Sequence, residues 1–434
     1  MKTEFKVVGK EPEPERHRLC RRMLVGPWCN QPEEYEGYNG FVSWAGVDCQ
    51  RSGRLVVTFT SGYWHGSPPT TEAALNDDEW IACLNSTSGE HIREFLQVMY
   101  GHGGPAISAP RGGRAHIMHS DDGGETWSKP ETLVDTEGDD RHATVIELDD
   151  GTLLGTFATW PWRSAARKNV TKGSGYMLSD DGGKTWSEPM SPPGFPEARP
   201  AGFGNGSAIQ LADRTVMWVM NVDLEAKPET AALGIYISSD LGKTFELVSI
   251  ICADHDISEP SVAELADGRL VLITRDQGEI CFSDDAGRTW SDLVSPGVRM
   301  FDPHLLMMPN GILACFHGSI QCHDLRVILS ADGGYTWHGP GEHYGYSIDP
   351  GVYGYSHAAL LPDGTAVVVY NDSGGHRGAD ARSGAIWAQH VKVSDAADGI
   401  EILPAPGSPA ADDRPFMDVE CGTPFSERWP KKFK

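Results

Sequence analysis

SDDGGETW at residues 120–127 is the first of five copies of one short string. The others are SDDGGKTW from Ser179, SSDLGKTF from Ser238, SDDAGRTW from Ser283 and SADGGYTW from Ser330. Their starts lie 59, 59, 45 and 47 residues apart, the interval of a four-stranded sheet plus its loops. Each copy follows a β-rich run such as AHIMHS, GIYIS or RVILS. The Asp side chain can accept backbone N–H bonds inside its own turn, and the Gly supplies a positive φ. The aromatic residue at the end is a hydrophobic anchor between neighbouring sheets. A single such string is weak; five in register predict a radial repeat of β-sheets.

A second repeat lies upstream of these turns: an apolar strand, a tight turn and another apolar strand. Its copies turn at Gly53, Gly151, Arg214, Gly268, Gly311 and Gly364, with Arg214 standing where the others have Gly. Six copies predict an all-β, six-bladed β-propeller, read as one domain over residues 1–434, with a lead-in of about 1–36 and a tail of about 404–434. The sixth copy, LLPDGTAVVVYND, has no Asp turn after it and runs on into GAIWAQHVKV. Either residues 399–403 or the stretch Phe5–Val8 is expected to close the ring, because closure protects strand edges.

Composition narrows the partners. A net charge of -25 argues against nucleic acid and anionic membrane surfaces, both of which need a basic footprint. The N-terminal MKTEFKVVGKEPEPERHR has no apolar signal region, and no stretch is long enough to span a bilayer. Nine scattered cysteines, an odd number with no CxxC pair, read as reduced thiols of a cytoplasmic protein. Small imported saccharides are expected to reach such a protein; polymers are not. Oligomeric state is not legible.

Numbering the strands of each blade a to d from the axis outward puts the a–b turn and the Asp turn on one face. The start of strand a, the end of strand b and the b–c loop then share the other. Nine residues before the a–b turn stand Trp44, His142, Asn205, Glu259, Asp302 and Tyr355. None is aliphatic, and several are suited to acid–base or nucleophilic work. Seven residues after the turn come Thr60, Ala158, Asn221, Arg275, Gly318 and Asn371, so Arg275 shares a hairpin with Glu259. The b–c loops add Trp64, His65, His102, Trp160, Trp162, Arg163, His376 and Arg377. The tryptophans could stack on sugar rings, and the His and Arg side chains could bind hydroxyls or an acidic group.

With these residues in place, the chain resembles the sialidase (neuraminidase) superfamily, whose members carry the BNR or Asp-box repeat, from about Phe41 to about Val393. SEPSVAELADGRLVLITR is similar to the superfamily's Glu-to-Arg blade and YSHAALLPDGTAVVVYND to its tyrosine blade. The resemblance implies that Tyr355 is the nucleophile, Glu259 the base that activates it and Arg275 one carboxylate-binding arginine. It also implies two further arginines and an acid/base Asp. At the first arginine position GYNGFVSWAGVDCQRSG offers Ser43 or Trp44; at the second CHDLRVILS offers His323, with Arg326 nearby. Two lost charge-assisted bonds remove roughly 3–6 kcal/mol of carboxylate recognition. Ordinary sialic acid is therefore not the expected substrate. For the acid/base role the sequence offers Asp77 and Asp78 in the first blade's loop, or His102, His142 and Asp302.

These residues point first to an exo-acting glycoside hydrolase on a small saccharide, which can be acidic. A lyase acting on uronates is the second reading, with Tyr355 or His142 abstracting the α-proton; its products would absorb in the ultraviolet. A carbohydrate-binding propeller without catalysis is the third. Neither enzyme mechanism needs a metal or cofactor, and no Cys/His spacing calls for one.

Overall fold

In the computed structural model the described residues are 2–13, 15–26, 29–35, 38, 40–62, 67, 112–136, 138–160, 173–193, 198–200, 206–224, 227–322, 324–341, 344–350, 352, 355–372 and 384–412. They form six sheets arranged as a propeller, antiparallel apart from one added edge strand. The a–b hairpins of the six blades pair Phe41–Cys49 with Leu55–Gly62, Asp139–Glu147 with Leu153–Trp160, Ala208–Gln210 with Val216–Leu224, Ser258–Glu264 with Leu270–Arg275, Met300–Met307 with Leu313–Ser319, and Ser356–Leu360 with Ala366–Asp372. Both faces of a blade are covered by its neighbours, so its second strand is buried along most of its length. Leu55–Gly62 is buried at every position.

The core is correspondingly divided into interfaces between blades. Val57 and Phe59 of the first blade pack with Val367 and Val369 of the sixth. Phe157 of the second packs with Ala115 and Val134 of the first, and Trp218 of the third with Leu154 and Tyr176 of the second. Leu270 and Leu272 meet Val219 and Ile235; Trp337 meets Val271 and Phe282; Phe316 meets Val368 and Tyr370. Every neighbouring pair has such a cluster, so no blade is stable on its own.

The six a–b turns all hold a positive φ where the sequence placed it: Gly53 at 85°, Gly151 at 89°, Arg214 at 72°, Gly268 at 83°, Gly311 at 82° and Gly364 at 83°. Arg214 is the strained one, because a Cβ is disfavoured there. The Asp turns are built as their sequence implies. Asp122 accepts from the Thr126 amide at 2.9 Å and from its hydroxyl at 2.5 Å, and Ser120 Oγ accepts from the Gly124 amide at 2.9 Å. These bonds, the Thr126 hydroxyl first, hold the exposed Asp122 carboxyl down at about 2.

A further set of bonds ties three of the a–b turns to the next blade. The amides of Arg51, Asp149 and Ala212 donate at 2.7 Å to Glu147, Gln210 and Glu264. At the same turn position the fifth and sixth blades have Pro309 and Pro362, whose neighbouring strands end in Leu360 and Cys49. Proline removes a donor where the facing side chain cannot accept.

Ring closure uses more chain than expected. Ile400–Leu403 does join the outer edge of the sixth blade, beside Val393–His390, but Arg22–Val25 adds end to end with it along the same strand. Glu4–Val7, in the stretch proposed as the alternative, runs parallel to Thr336–Gly339 of the fifth blade, where Phe5 packs near Trp337. Arg22 then reaches the carbonyls of Gly124, Glu125 and Pro406, tying the clasp to the first blade's Asp turn. The seven described cysteines are free thiols. Among the described residues no helix is long and apolar enough to cross a membrane.

Burial makes one strand acid-sensitive. His317 is fully buried in Leu313–Ser319, opposite Arg326, and burial pushes its imidazole down to about 4. An unfolded His near 6.5 takes up a proton first as pH falls, so this side chain costs stability between 6.5 and about 4. By pH 4 the loss is about 3 kcal/mol. Urea midpoints of the parent and a His317→Leu variant, taken at pH 7 and pH 4, are expected to show a smaller acid loss in the variant. Equal losses would count against it.

Candidate active site

Four of the six indexed positions share an unusual backbone. Trp44, His142, Glu259 and Asp302 have φ of 50°, 51°, 47° and 40°, a region that L side chains seldom adopt. In each blade the strand register slips at that point, between Ser43 and Gly46, Arg141 and Thr144, Ser258 and Ser261, and Phe301 and His304. Each is a β-bulge, which bends the strand and re-aims its side chain. The same device, repeated around the ring, gathers these side chains at one end of the axis.

The centre is a hydrogen-bonded set. Tyr355 Oη donates to Glu259 Oε1 at 2.8 Å, and Arg275 Nη1 donates to Tyr355 Oη at 3.1 Å while pairing with the same Glu259 oxygen. The other carboxylate oxygen, Glu259 Oε2, accepts the Asp302 amide at 2.9 Å. The Arg275 guanidinium carbon sits over Phe301, 4.2 Å from its centroid. The other side is aromatic. Trp44 and His142 stack at 5.1 Å, and the Tyr355 ring meets them edge-on at 6.1 Å and 5.4 Å. Asn371 accepts the Trp44 amide at 3.1 Å, joining the sixth blade to the first.

Electrostatics follow from this packing. Burial, then the charge of Glu259, pushes the Tyr355 phenol well above its ordinary value, against the pull of Arg275. The phenol therefore rests protonated and needs a base in contact. Burial and Glu259 also raise the Asp302 carboxyl, although the Ser356 amide bonds it. Burial works against the Arg275 charge, and Glu259 and Tyr355 more than restore it. Beneath the mouth, His304 and His357 lie 3.8 Å apart, bonded to the Ala358 carbonyl and to Ser207 Oγ. Burial holds His304 at about 4 and His357 lower than usual. Among the described residues no cluster of three or more His, Cys, Asp or Glu side chains is arranged to hold a metal ion.

The structure thus brings together Trp44, His142, Glu259, Arg275, Asp302 and Tyr355. Ser43 lies beside Thr60 within the sheet and is 1% exposed, which argues against substrate contact. Arg326 is bound by Asp324, Glu11 and the Gly345 carbonyl, none of which belongs to the Glu259 set. Trp160 ends its strand opposite Asp139. Asn205, His323, Trp64 and Arg163 lie outside the described residues, as do His65, Asp77, Asp78, His102, Trp162, His376 and Arg377. Two neighbours of indexed residues were missed. Arg141, paired with Asp139, sits 4.7 Å over the Trp44 ring, and Phe301 carries Arg275. Both stand one residue before an indexed position, where the bulge turns a second side chain toward the same cluster.

The BNR repeat-like domain profile matches residues 115–340, just over half of the chain. The chain belongs to the BNR repeat-like family. Its relatives place this BNR-repeat protein in the sialidase superfamily. A sialidase of Bacteroides fragilis (strain YCH46) is 25% identical over 305 residues, covering 60% of this chain and 54% of the relative. A sialidase of Micromonospora viridifaciens is 25% identical over 312 residues, covering 62% and 47%. The chain therefore spans about half the length of these curated relatives. The structure of a Hadza microbial sialidase superposes with a TM-score of 0.55 at 20% identity, covering 81% of this chain and 65% of that one. At that identity the likeness shows the fold: a six-bladed propeller of sialidase type.

Proposed function

We propose that this BNR-repeat protein is an exo-acting, retaining glycoside hydrolase on a small saccharide, with Tyr355 as nucleophile. The observation that carries the reading is the direct bond from the Tyr355 hydroxyl to Glu259, with Arg275 bonded to both. A phenol is a weak nucleophile until a base takes its proton. Glu259 is already in contact with that proton, and Arg275 steadies the phenolate as it forms. In the first step Tyr355 Oη bonds the anomeric carbon, the phenol proton passes to Glu259, and the glycosidic bond breaks as a general acid protonates the leaving oxygen. In the second, that same group takes a proton from water, whose oxygen bonds the anomeric carbon as the tyrosyl–carbon bond breaks, and Tyr355 recovers its proton from Glu259.

Trp44 supports a sugar other than sialic acid. Its indole is packed against Phe41 and stands where the superfamily resemblance calls for an arginine. The indole is 3% exposed, with His142 stacked on it and Arg141 over its ring, and it offers no charge-assisted bond to a carboxylate.

The test begins with a panel of aryl glycosides of neutral and acidic sugars. The sugar turned over is then supplied as its deoxyfluoro glycosyl fluoride, and the protein is digested for mass spectrometry. The glycosyl group is expected on the peptide containing Tyr355, with retained configuration in the product. Label on another residue, inverted product, or ultraviolet-absorbing unsaturated uronides would sink the assignment.

A further inference from the structure

Resting on the Tyr355 reading above, the geometry points to His142 as the acid/base partner of the reaction, in place of an Asp from the first blade's loop. A retaining mechanism needs one group to protonate the leaving oxygen and then deprotonate water, placed across the reacting carbon from the nucleophile. Glu259, Asp302 and Tyr355 come from the fourth, fifth and sixth blades and are bound to one another. Glu259 holds the Tyr355 hydroxyl and the Asp302 amide, and the Asp302 carboxyl bonds the amide of Ser356, next to Tyr355. These two carboxyl groups therefore belong to the nucleophile's side.

His142 comes from the second blade, across the ring from Asp302. Its imidazole stands at 87° to the Tyr355 ring, with centroids 5.4 Å apart, and stacks on Trp44 with an interplanar angle of 28°. The bulge at φ 51° turns it out of the strand, and it is half-buried where Ala143 behind it is fully buried. The other imidazoles near the axis, His304 and His357, lie below and are bonded to Ala358 and Ser207. Histidine can cycle between acid and base near neutral pH, which this two-step role requires.

The proton balance is then complete. In the first step the tyrosyl–carbon bond forms, the glycosidic bond breaks, Glu259 takes the phenol proton and protonated His142 gives its proton to the leaving oxygen. In the second, neutral His142 takes a proton from the attacking water. The water oxygen bonds the anomeric carbon, the tyrosyl–carbon bond breaks, and Tyr355 recovers its proton from Glu259.

The test is a His142→Asn variant, since Asn tolerates the left-handed backbone and cannot relay a proton. The substrates are aryl glycosides of the sugar found by the panel above, with leaving groups from phenol to dinitrophenol. For the phenyl glycoside kcat/KM is expected to fall about 100-fold or more, while the dinitrophenyl glycoside reacts nearly as in the parent. Sodium azide is expected to restore turnover by forming the glycosyl azide. A loss that is the same for every leaving group and is not rescued by azide would overturn the role, and so would no loss at all. Tyr355→Phe run alongside separates the two claims. If it keeps parental turnover, the reading of Tyr355 as nucleophile fails; if it is inactive while His142→Asn shows no leaving-group dependence, only the role of His142 fails.

Discussion

Tyr355→Phe is expected to lower kcat on the best glycoside by about three orders of magnitude, with a folded protein and a KM close to the parent's. The substitution removes one oxygen and keeps the ring. The edge-on contacts of that ring with Trp44 and His142, at 6.1 Å and 5.4 Å, survive. Two hydrogen bonds are lost, to Glu259 and from Arg275, but those partners remain bonded to each other. No buried charge is left unpaired, so the stability change is expected to stay within about 1 kcal/mol. What disappears is the atom that attacks the anomeric carbon. Steady-state kinetics with a thermal melt of each protein measures both halves. A variant within tenfold of the parent would remove Tyr355 from the chemistry.

The parts of this site that could be read from sequence were those fixed by counting. Once Gly53, Gly151, Arg214, Gly268, Gly311 and Gly364 were aligned, one offset picked out Trp44, His142, Glu259, Asp302 and Tyr355, and a second picked out Arg275. Counting works because strand length and turn geometry hold a side chain's place to within a residue. It does not reveal the bulges. Trp, His, Glu and Asp have no local preference strong enough to announce a left-handed conformation, so at these four positions tertiary packing sets the backbone. Arg141 and Phe301 were missed for that reason. In a regular strand each would point away from its indexed neighbour.

The clasp was harder still. Arg22–Val25 is four residues long, with no alternation to mark it as a strand, and it pairs with Ile386–Ala388 more than 360 residues later. Phe5–Val8 stood as one of two closing candidates because closure protects strand edges, but Glu4–Val7 covers the fifth blade's outer edge instead. The paired prolines at 309 and 362 were in plain view. Their meaning needed the neighbouring blade, because a missing donor matters only opposite a side chain that cannot accept.

The largest stability effect is expected from Asp349→Ala, far from the chemistry. Asp349 is fully buried, accepting from Arg21 and from the Tyr370 hydroxyl, each at 2.8 Å. Its other oxygen lies 3.9 Å from the imidazole of His17. Arg21 covers the Trp387 ring at 4.1 Å, so one carboxylate joins the lead-in helix Arg16–Cys20 to the sixth blade. Removing it strands a largely buried guanidinium and a buried hydroxyl, a loss of about 3–5 kcal/mol. Alanine should also loosen the clasp before it loosens the blades, since Arg22–Val25 follows directly on Arg21. Amide exchange is expected to quicken first at residues 16–25 and along the strand they cover, with urea midpoints falling in step. Replacing both charges, as Asp349→Leu with Arg21→Met, is expected to recover most of the loss, because the penalty comes from the unpaired ion and not from the missing bridge. If the double variant were as unstable as Asp349→Ala, the carboxylate would be holding the clasp by geometry that apolar packing cannot replace.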